Sequence, residues 1–308
     1  DSRVLPASNS AALASKIISD RFPGQEGNPI EIIVPNGATM GTQINQYTNE
    51  IAQVPGIVRI GDSQVSGNDV RVTAIHSMGP RTPAAEVLIK DIRKIRSPEG
   101  TLIGGVAADY ADTQIGIAKT MPWALLWIAI GVLILLFVFT GSIILPIKAI
   151  ILNILSLGAT LGVITWIFVD GHLKWLVGDF TVTGSVDTGS IILVAVVAFG
   201  LSMDYEVFLL SRIKEEHDAG RSNVESVATG LQRSARIITA AAGLLAIVFA
   251  SFMLSGVTSI KMLGFGVAFA ILLDASLVRA LLVPALMRLF GERNWWAPKA
   301  MKRFTINH

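Results

Sequence analysis

Two stretches of otherwise apolar sequence carry ionisable side chains. The first reads Phe199-Gly200-Leu201-Ser202-Met203-Asp204-Tyr205-Glu206-Val207-Phe208, the second Leu272-Leu273-Asp274-Ala275-Ser276-Leu277-Val278-Arg279. A central Asp or Arg costs on the order of 3 kcal/mol to place in a bilayer, so such residues mark pairs or pathways. The chemistry open to Asp204, Tyr205, Asp274 and Arg279 is a proton relay. A carboxyl held in low dielectric can load and unload a proton, and a neighbouring guanidinium can be exchanged between partners. Tyr205 can donate a hydrogen bond to an ionised Asp204. The alternative is a static buried ion pair that holds a helix bundle together.

Depth and helical phase bear on whether these groups meet. Asp204 lies about 15 residues into its segment, Asp274 about 12 and Arg279 about 17, or roughly 22, 18 and 26 Å at the α-helical rise. A shared polar layer is expected if the two helices are neighbours. Asp274 and Arg279 are five apart, about 140° of α-helical rotation. They are expected on different faces, with Arg279 reaching to another helix rather than pairing as i,i+4 neighbours do. Glu206 is expected nearer the inner surface, facing water. Gly200 and Ala275-Ser276 are expected to allow close helix approach.

The elements that must position these residues are long. Five segments, about 123–143, 147–168, 189–211, 236–256 and 262–287, approach the roughly 20 apolar residues a bilayer span needs. Hydrophobic residues make up 52% of the chain and charged ones 16%, against about 25% charged in soluble domains. Lys and Arg collect at one end of the spans: Lys148, then Arg212, Lys214, Arg221, Arg233 and Arg236, then Arg288, Arg293, Lys299, Lys302 and Arg303. The opposite loops hold Lys174 and Lys261. The basic side is expected to be cytoplasmic, which puts the N-terminal region outside and residues 291–308 in a cytoplasmic tail. An external start implies a further span ahead of Asp1. Trp295-Trp296 is expected to anchor at the interface, and 222–232 to be a short surface helix or a linker.

Residues 1–118 read as an α+β extracytoplasmic domain. A helix is expected over 10–22, stopped by Pro23-Gly24. Strands are expected at 30–34, 57–60, 70–75 and 101–106. Helices are expected over 39–53 and, opened by Thr82-Pro83, up to Ile95. From residue 30 the order is βαββαβ, a ferredoxin-like arrangement. The membrane bundle follows over 119–290.

Several chemistries are set aside. The chain has no cysteine and a net charge of +2, so thiol chemistry is excluded and no basic, aromatic-interleaved surface suggests nucleic acid. His76, His172, His217 and His308 have no metal-ligand spacing. Gly264-x-Gly266 lacks the context of a dinucleotide site and reads as helix packing. No enzyme site stands out, and no cofactor is expected beyond a proton gradient.

These residues also carry a resemblance. Gly200-Leu-Ser-Met-Asp204-Tyr205-Glu-Val-Phe-Leu-Leu-Ser-Arg212 resembles the fourth-span signature in each half of the MmpL membrane proteins, a branch of the resistance-nodulation-division superfamily. Leu272-Leu-Asp274-Ala-Ser-Leu-Val-Arg279, followed by Val283-Pro284-Ala-Leu-Met, resembles that family's last span, and Asn294-Trp-Trp-Ala-Pro298 its end. Asp1-Ser-Arg-Val-Leu-Pro6 resembles the start of its second porter domain. The resemblance implies twelve spans in two repeats, of which this chain holds the second porter domain and spans eight to twelve. It implies that Asp204 and Tyr205 supply the second-half pair for proton coupling, with the N-terminal half of the transporter as partner. It implies a lipid or glycolipid substrate and residence in the inner membrane. The runs Leu145-Pro-Ile-Lys148-Ala and Thr165 to His172 resemble the branch that exports trehalose monomycolate; another lipid, a siderophore or a drug is the alternative cargo.

Overall fold

The computed structural model describes residues 9–22, 24–180, 182 and 187–298. The motif from Asp1 to Pro6, Pro23, Lys299, Lys302, Arg303 and His308 lie outside them. The chain divides into two compact units, Ser8–Ala124 and Leu125–His308.

The first unit opens with helix α1 (Ser10–Arg21) and strand β1 (Ile30–Val34). Along β1 the β-branched Ile30, Ile32 and Val34 are fully buried, while Glu31 and Ile33 point to the other face, as the period of two requires. Helix α2 (Gly41–Ala52), strands β2 (Ile57–Ile60), β3 (Gln64–Ser66) and β4 (Asp69–His76), helix α3 (Pro83–Lys94) and strand β5 (Leu102–Gly104) follow. The sheet order is β2-β4-β1-β5, with β3 paired to β4. All pairings are antiparallel, and β1 faces β4 in the register Ile30↔Ala74, Ile32↔Val72, Val34↔Val70. Ile44, Tyr47 and Ile51 of α2 and Ala85, Leu88, Ile89 and Ile92 of α3 form one core with the inner faces of β1 and β4. Thr82 caps α3, its Oγ1 accepting from the Ala85 N–H at 3.3 Å, with Pro83 at the first helical position.

Two local features differ from expectation. Strand β3 was not legible, because all three of its residues are exposed and carry no inward-outward alternation; it folds back onto β4 over the two-residue turn Gly67-Asn68. The last strand ends at Gly104 rather than 106. Gly105 has φ +94°, and a Cβ there would lie 2.4 Å from the Pro29 carbonyl oxygen. Only glycine fits, and helix α4 (Val106–Thr140) starts directly after it.

The second unit contains helices α5 (Ile144–Phe168), α6 (Lys174–Val177), α7 (Thr188–Asp218), α8 (Asn223–Ser251), α9 (Thr258–Leu273) and α10 (Val283–Phe290). Five helical stretches are long and apolar enough to cross a membrane: Val106–Thr140, Ile144–Phe168, Thr188–Asp218, Asn223–Leu254 and Thr258–Trp295. Helix α7 packs on α5, α8 and α9, and α9 also packs on α5 and α8. Gly264 and Gly266 seat α9 closely: a Cβ would lie 2.6 Å from the Phe249 carbonyl oxygen at the first and 2.6 Å from Ile164 at the second, in line with a packing role.

The stretch 222–232 is neither a surface helix nor a linker. A capping box at Ser222 and Glu225 starts α8 there, and Asn223, Ser226, Val227 and Gly230 are buried, so the helix that carries the fourth span begins at residue 223. Trp295 is not a free anchor. Its ring stacks on His217 at 4.1 Å and its Nε1–H donates to Asn223 Oδ1 at 3.2 Å. Trp296 is exposed.

Candidate functional site

The site is built where the last span leaves α-helical geometry. From Asp274 to Leu282 the backbone is a π-helix, closed by Val283 N–H donating to Val278 O. Pro284 sits just beyond. It has no N–H to give Ala280, and in an α-helix its ring would crowd that carbonyl. The wider turn precedes this break. A π-helix bonds i to i+5 and is found most often at functional sites.

The wide turn overturns the expected phase of Asp274 and Arg279. They do share a face: Arg279 Nη2 is ion-paired with Asp274 Oδ2. Both are buried, at 5% and 3% exposure. Arg279 also reaches to another helix, as expected, donating to the Ser202 backbone oxygen at 2.5 Å. Ser202 Oγ donates to Asp274 Oδ1 at 2.9 Å, so one α7 residue serves both charges. The guanidinium lies over the Tyr205 ring, 5.1 Å from its centroid, within cation–π range. Arg279 Nε–H is buried without a hydrogen-bond partner.

On α7 the structure separates residues that are adjacent in sequence. Ser202, Glu206, Leu209 and Ile213 are buried, one face at helical spacing. Glu206 does not face water as expected. It is 4% exposed, accepts from Asn153 Nδ2 of α5 at 3.1 Å, and feels the charges of both Arg279 and Asp274. Asp204 lies about 200° from Ser202 and from Glu206 on the helix, and is exposed. It does not join the polar layer beside the last span. It continues an outward stripe of Leu193, Val196 and Gly200, all exposed, and a Cβ on Gly200 would meet nothing within 4 Å. Gly200 therefore seats no helix among the described residues. Asp274, Arg279 and the half-buried Tyr205 come together; Asp204 stands apart from them. Ser202 and Asn153 were not among the expected site residues and Glu206 was expected to face water, because depth along α7 does not report which side chains share its buried face. The four-residue spacing of Ser202 and Glu206 on the Leu209–Ile213 face was the available signal.

The chain matches the MMPL family over residues 3–306. It belongs to the MMPL family. A membrane protein of Streptomyces coelicolor is 37% identical over 304 residues, covering 98% of this chain and 42% of the relative. The trehalose monomycolate exporter MmpL3 of Mycobacterium tuberculosis is 34% identical over 320 residues, 98% of this chain and 33% of the relative. The mycolic acid-containing lipids exporter MmpL11 of Mycolicibacterium smegmatis is 32% identical over 291 residues, 90% and 30%. The chain thus spans about a third to two-fifths of the length of the relatives it matches. Its five long apolar helices fit a family whose M. tuberculosis and M. smegmatis members are named as lipid exporters. Among the described residues of this MMPL chain, no cluster of three His, Asp or Glu side chains is placed to hold a metal ion.

Proposed function

We propose that the chain is the second half of a proton-motive-force-driven transporter that exports trehalose monomycolate across the inner membrane for cell-wall assembly. The observation that carries the proton reading is the buried cluster of Asp274, Arg279, Ser202 and Glu206 inside an apolar bundle. Charge is kept there at a cost in insertion, and an ionisable group that can change its protonation state gives that cost a use. The energy source is the proton gradient, with no cofactor.

Asp204 and Tyr205 are the groups that alternate in protonation, with Asp274 and Arg279 as the inner members of the relay. The exposed stripe of Leu193, Val196, Gly200 and Asp204 supports an N-terminal half of the same transporter as the covering partner. An ionisable group at mid-span does not face acyl chains stably, and Gly200 permits close approach. Residues 1–118 form a ferredoxin-like porter domain on the outer side, a reading supported by the sheet order β2-β4-β1-β5 with α2 and α3 on one face. The Lys and Arg distribution supports that orientation, with the bundle over 119–290 and the cytoplasmic tail over 291–308. The name of the M. tuberculosis relative supports the cargo.

The test uses the full-length transporter in proteoliposomes under an imposed pH gradient. Asp204→Asn abolishes export while melting temperature and membrane insertion stay as in wild type; undiminished export by that variant would reject the role. A different mycolic-acid lipid is the second reading, favoured by the name of the M. smegmatis relative. Mass spectrometry of lipid co-purified with the transporter separates the two.

A further inference from the structure

Glu206 is the one buried carboxyl of the cluster that the relay above leaves without a task. It lines a cavity of about 10 Å³ between α5, α7 and α10, together with Lys148, Leu145, Leu152, Val283 and Met287. That is about the space one water needs. Asp274 and Arg279 do not line it. The cavity lies toward the bundle end that carries the α4–α5 turn. There the half-buried Lys148 lines it, its Nζ donating to Asn294 Oδ1 and lying 4.5 Å from the Phe290 ring centroid. On its other side Glu206 is held by Asn153 and lies within electrostatic reach of Asp274 and Arg279.

Counting charges gives this placement a meaning. The cluster holds two buried carboxyls and one guanidinium, which is paired with Asp274, so it is neutral when it holds one proton. A net charge in so apolar a setting is costly, and two coupled carboxyls titrate as a pair rather than singly.

We propose that Glu206 is the port through which the relay exchanges its proton with the bundle end carrying Lys148. The inference rests on the proton reading above. A proton leaves the Asp274 carboxyl and is taken up on the Glu206 carboxylate, so the total charge of the cluster is unchanged. The Glu206 O–H bond then breaks toward a water in the cavity, which carries the proton past Lys148 to bulk. The cluster is left one charge more negative until the next proton loads. The charged groups facing Glu206 each have a part: Arg279 and the Lys148 ammonium stabilise the carboxylate left behind, and Asp274 opposes it. The direction of net transfer is set by the proton gradient.

The test is Glu206→Gln in the full-length transporter, with an internal pH dye reporting proton flux in vesicles. Gln keeps the size of the side chain and an acceptor for Asn153 but cannot exchange a proton. Proton flux falls about a hundredfold, melting temperature is unchanged, and Glu206→Asp recovers part of the flux. Wild-type flux in Glu206→Gln, with Asp274→Asn inactive, overturns the role of Glu206 and leaves the relay standing. Wild-type flux in both variants overturns the relay itself. A second measurement needs no variant: a hydrophobic carbodiimide, to whose central carbon a protonated carboxyl adds as its proton passes to nitrogen, modifies Glu206 in wild-type protein and does so less as pH rises. Glu206 left unmodified across the pH range counts against the port.

Discussion

Asp274 and Arg279 are bound to one another across a single wide turn of their own helix, and both charges are answered by Ser202 on the neighbouring helix. One residue of α7 therefore reads the charge state of the last span. On the relay proposed above, a change of proton occupancy at Asp274 is expected to alter what Ser202 Oγ and its backbone carbonyl hold.

The pair's contribution to stability is expected to be conditional. Arg279→Gln alone leaves a buried carboxylate without its counter-charge and costs about 3–5 kcal/mol. Adding Asp274→Asn to it recovers most of that loss, since two neutral groups can share the site. Transport stays lost in the double variant. Thermal unfolding in detergent, set beside export from proteoliposomes, checks both halves of the expectation.

The π register itself is testable at Pro284. Pro284→Ala returns an N–H to the backbone and removes the crowding of the Ala280 carbonyl, so the ladder can revert toward α-helical bonding. Arg279 would then rotate out of line with Asp274. Export is expected to fall while helix content by circular dichroism is unchanged; full activity in Pro284→Ala would show that the wide turn does not depend on the proline.

Beyond Pro284, at the bundle end that carries Lys148, Trp295 and Trp296 are expected to behave differently. Trp295→Ala loses the stack on His217 and the hydrogen bond to Asn223, and costs about 1–3 kcal/mol. Trp296→Ala, at an exposed position, leaves the melting temperature near wild type. Equal effects of the two changes would return Trp295 to the role of a surface anchor.

The N-terminal unit carries a pH dependence of its own. His76 at the end of β4 is fully buried, with Nε2 against the Asn28 carbonyl oxygen at 3.1 Å and Nδ1 without a partner. Burial is the main influence and lowers its pKa from the ordinary value of 6.5. The unfolded chain then binds the proton more readily than the folded one, so stability declines as pH falls below 6.5 and levels off once pH passes below the folded value. Amide exchange across β1 and β4 of the whole chain in detergent should quicken over that window. In His76→Gln the dependence should flatten; an unchanged pH profile in that variant would sink the assignment.

What the sequence disclosed follows from where its signals are strong. Five apolar runs and the alternation of Ile30, Ile32 and Val34 announce the spans and the central strand, because burial repeats along them. Thr82-Pro83 announces α3, because a cap and a proline fix a start locally. The illegible parts depend on geometry that residue types do not report. Strand β3 buries nothing. The start of α8 hides in small polar residues that pack only once α7 lies against them. The meeting of Asp274 and Arg279 needs a turn of unusual width, and an α-helical count of their rotation points them apart. Glu206 was readable by phase, and Asp204 by the same count belongs to the opposite face.

That outward face of α7 makes assembly conditional. An unshielded Asp204 disfavours the lone bundle by on the order of 3 kcal/mol, roughly two orders of magnitude in equilibrium population. Cover over that face, as the companion half proposed above would supply, removes this penalty, so the second-half bundle and its partner are expected to be more stable together than apart.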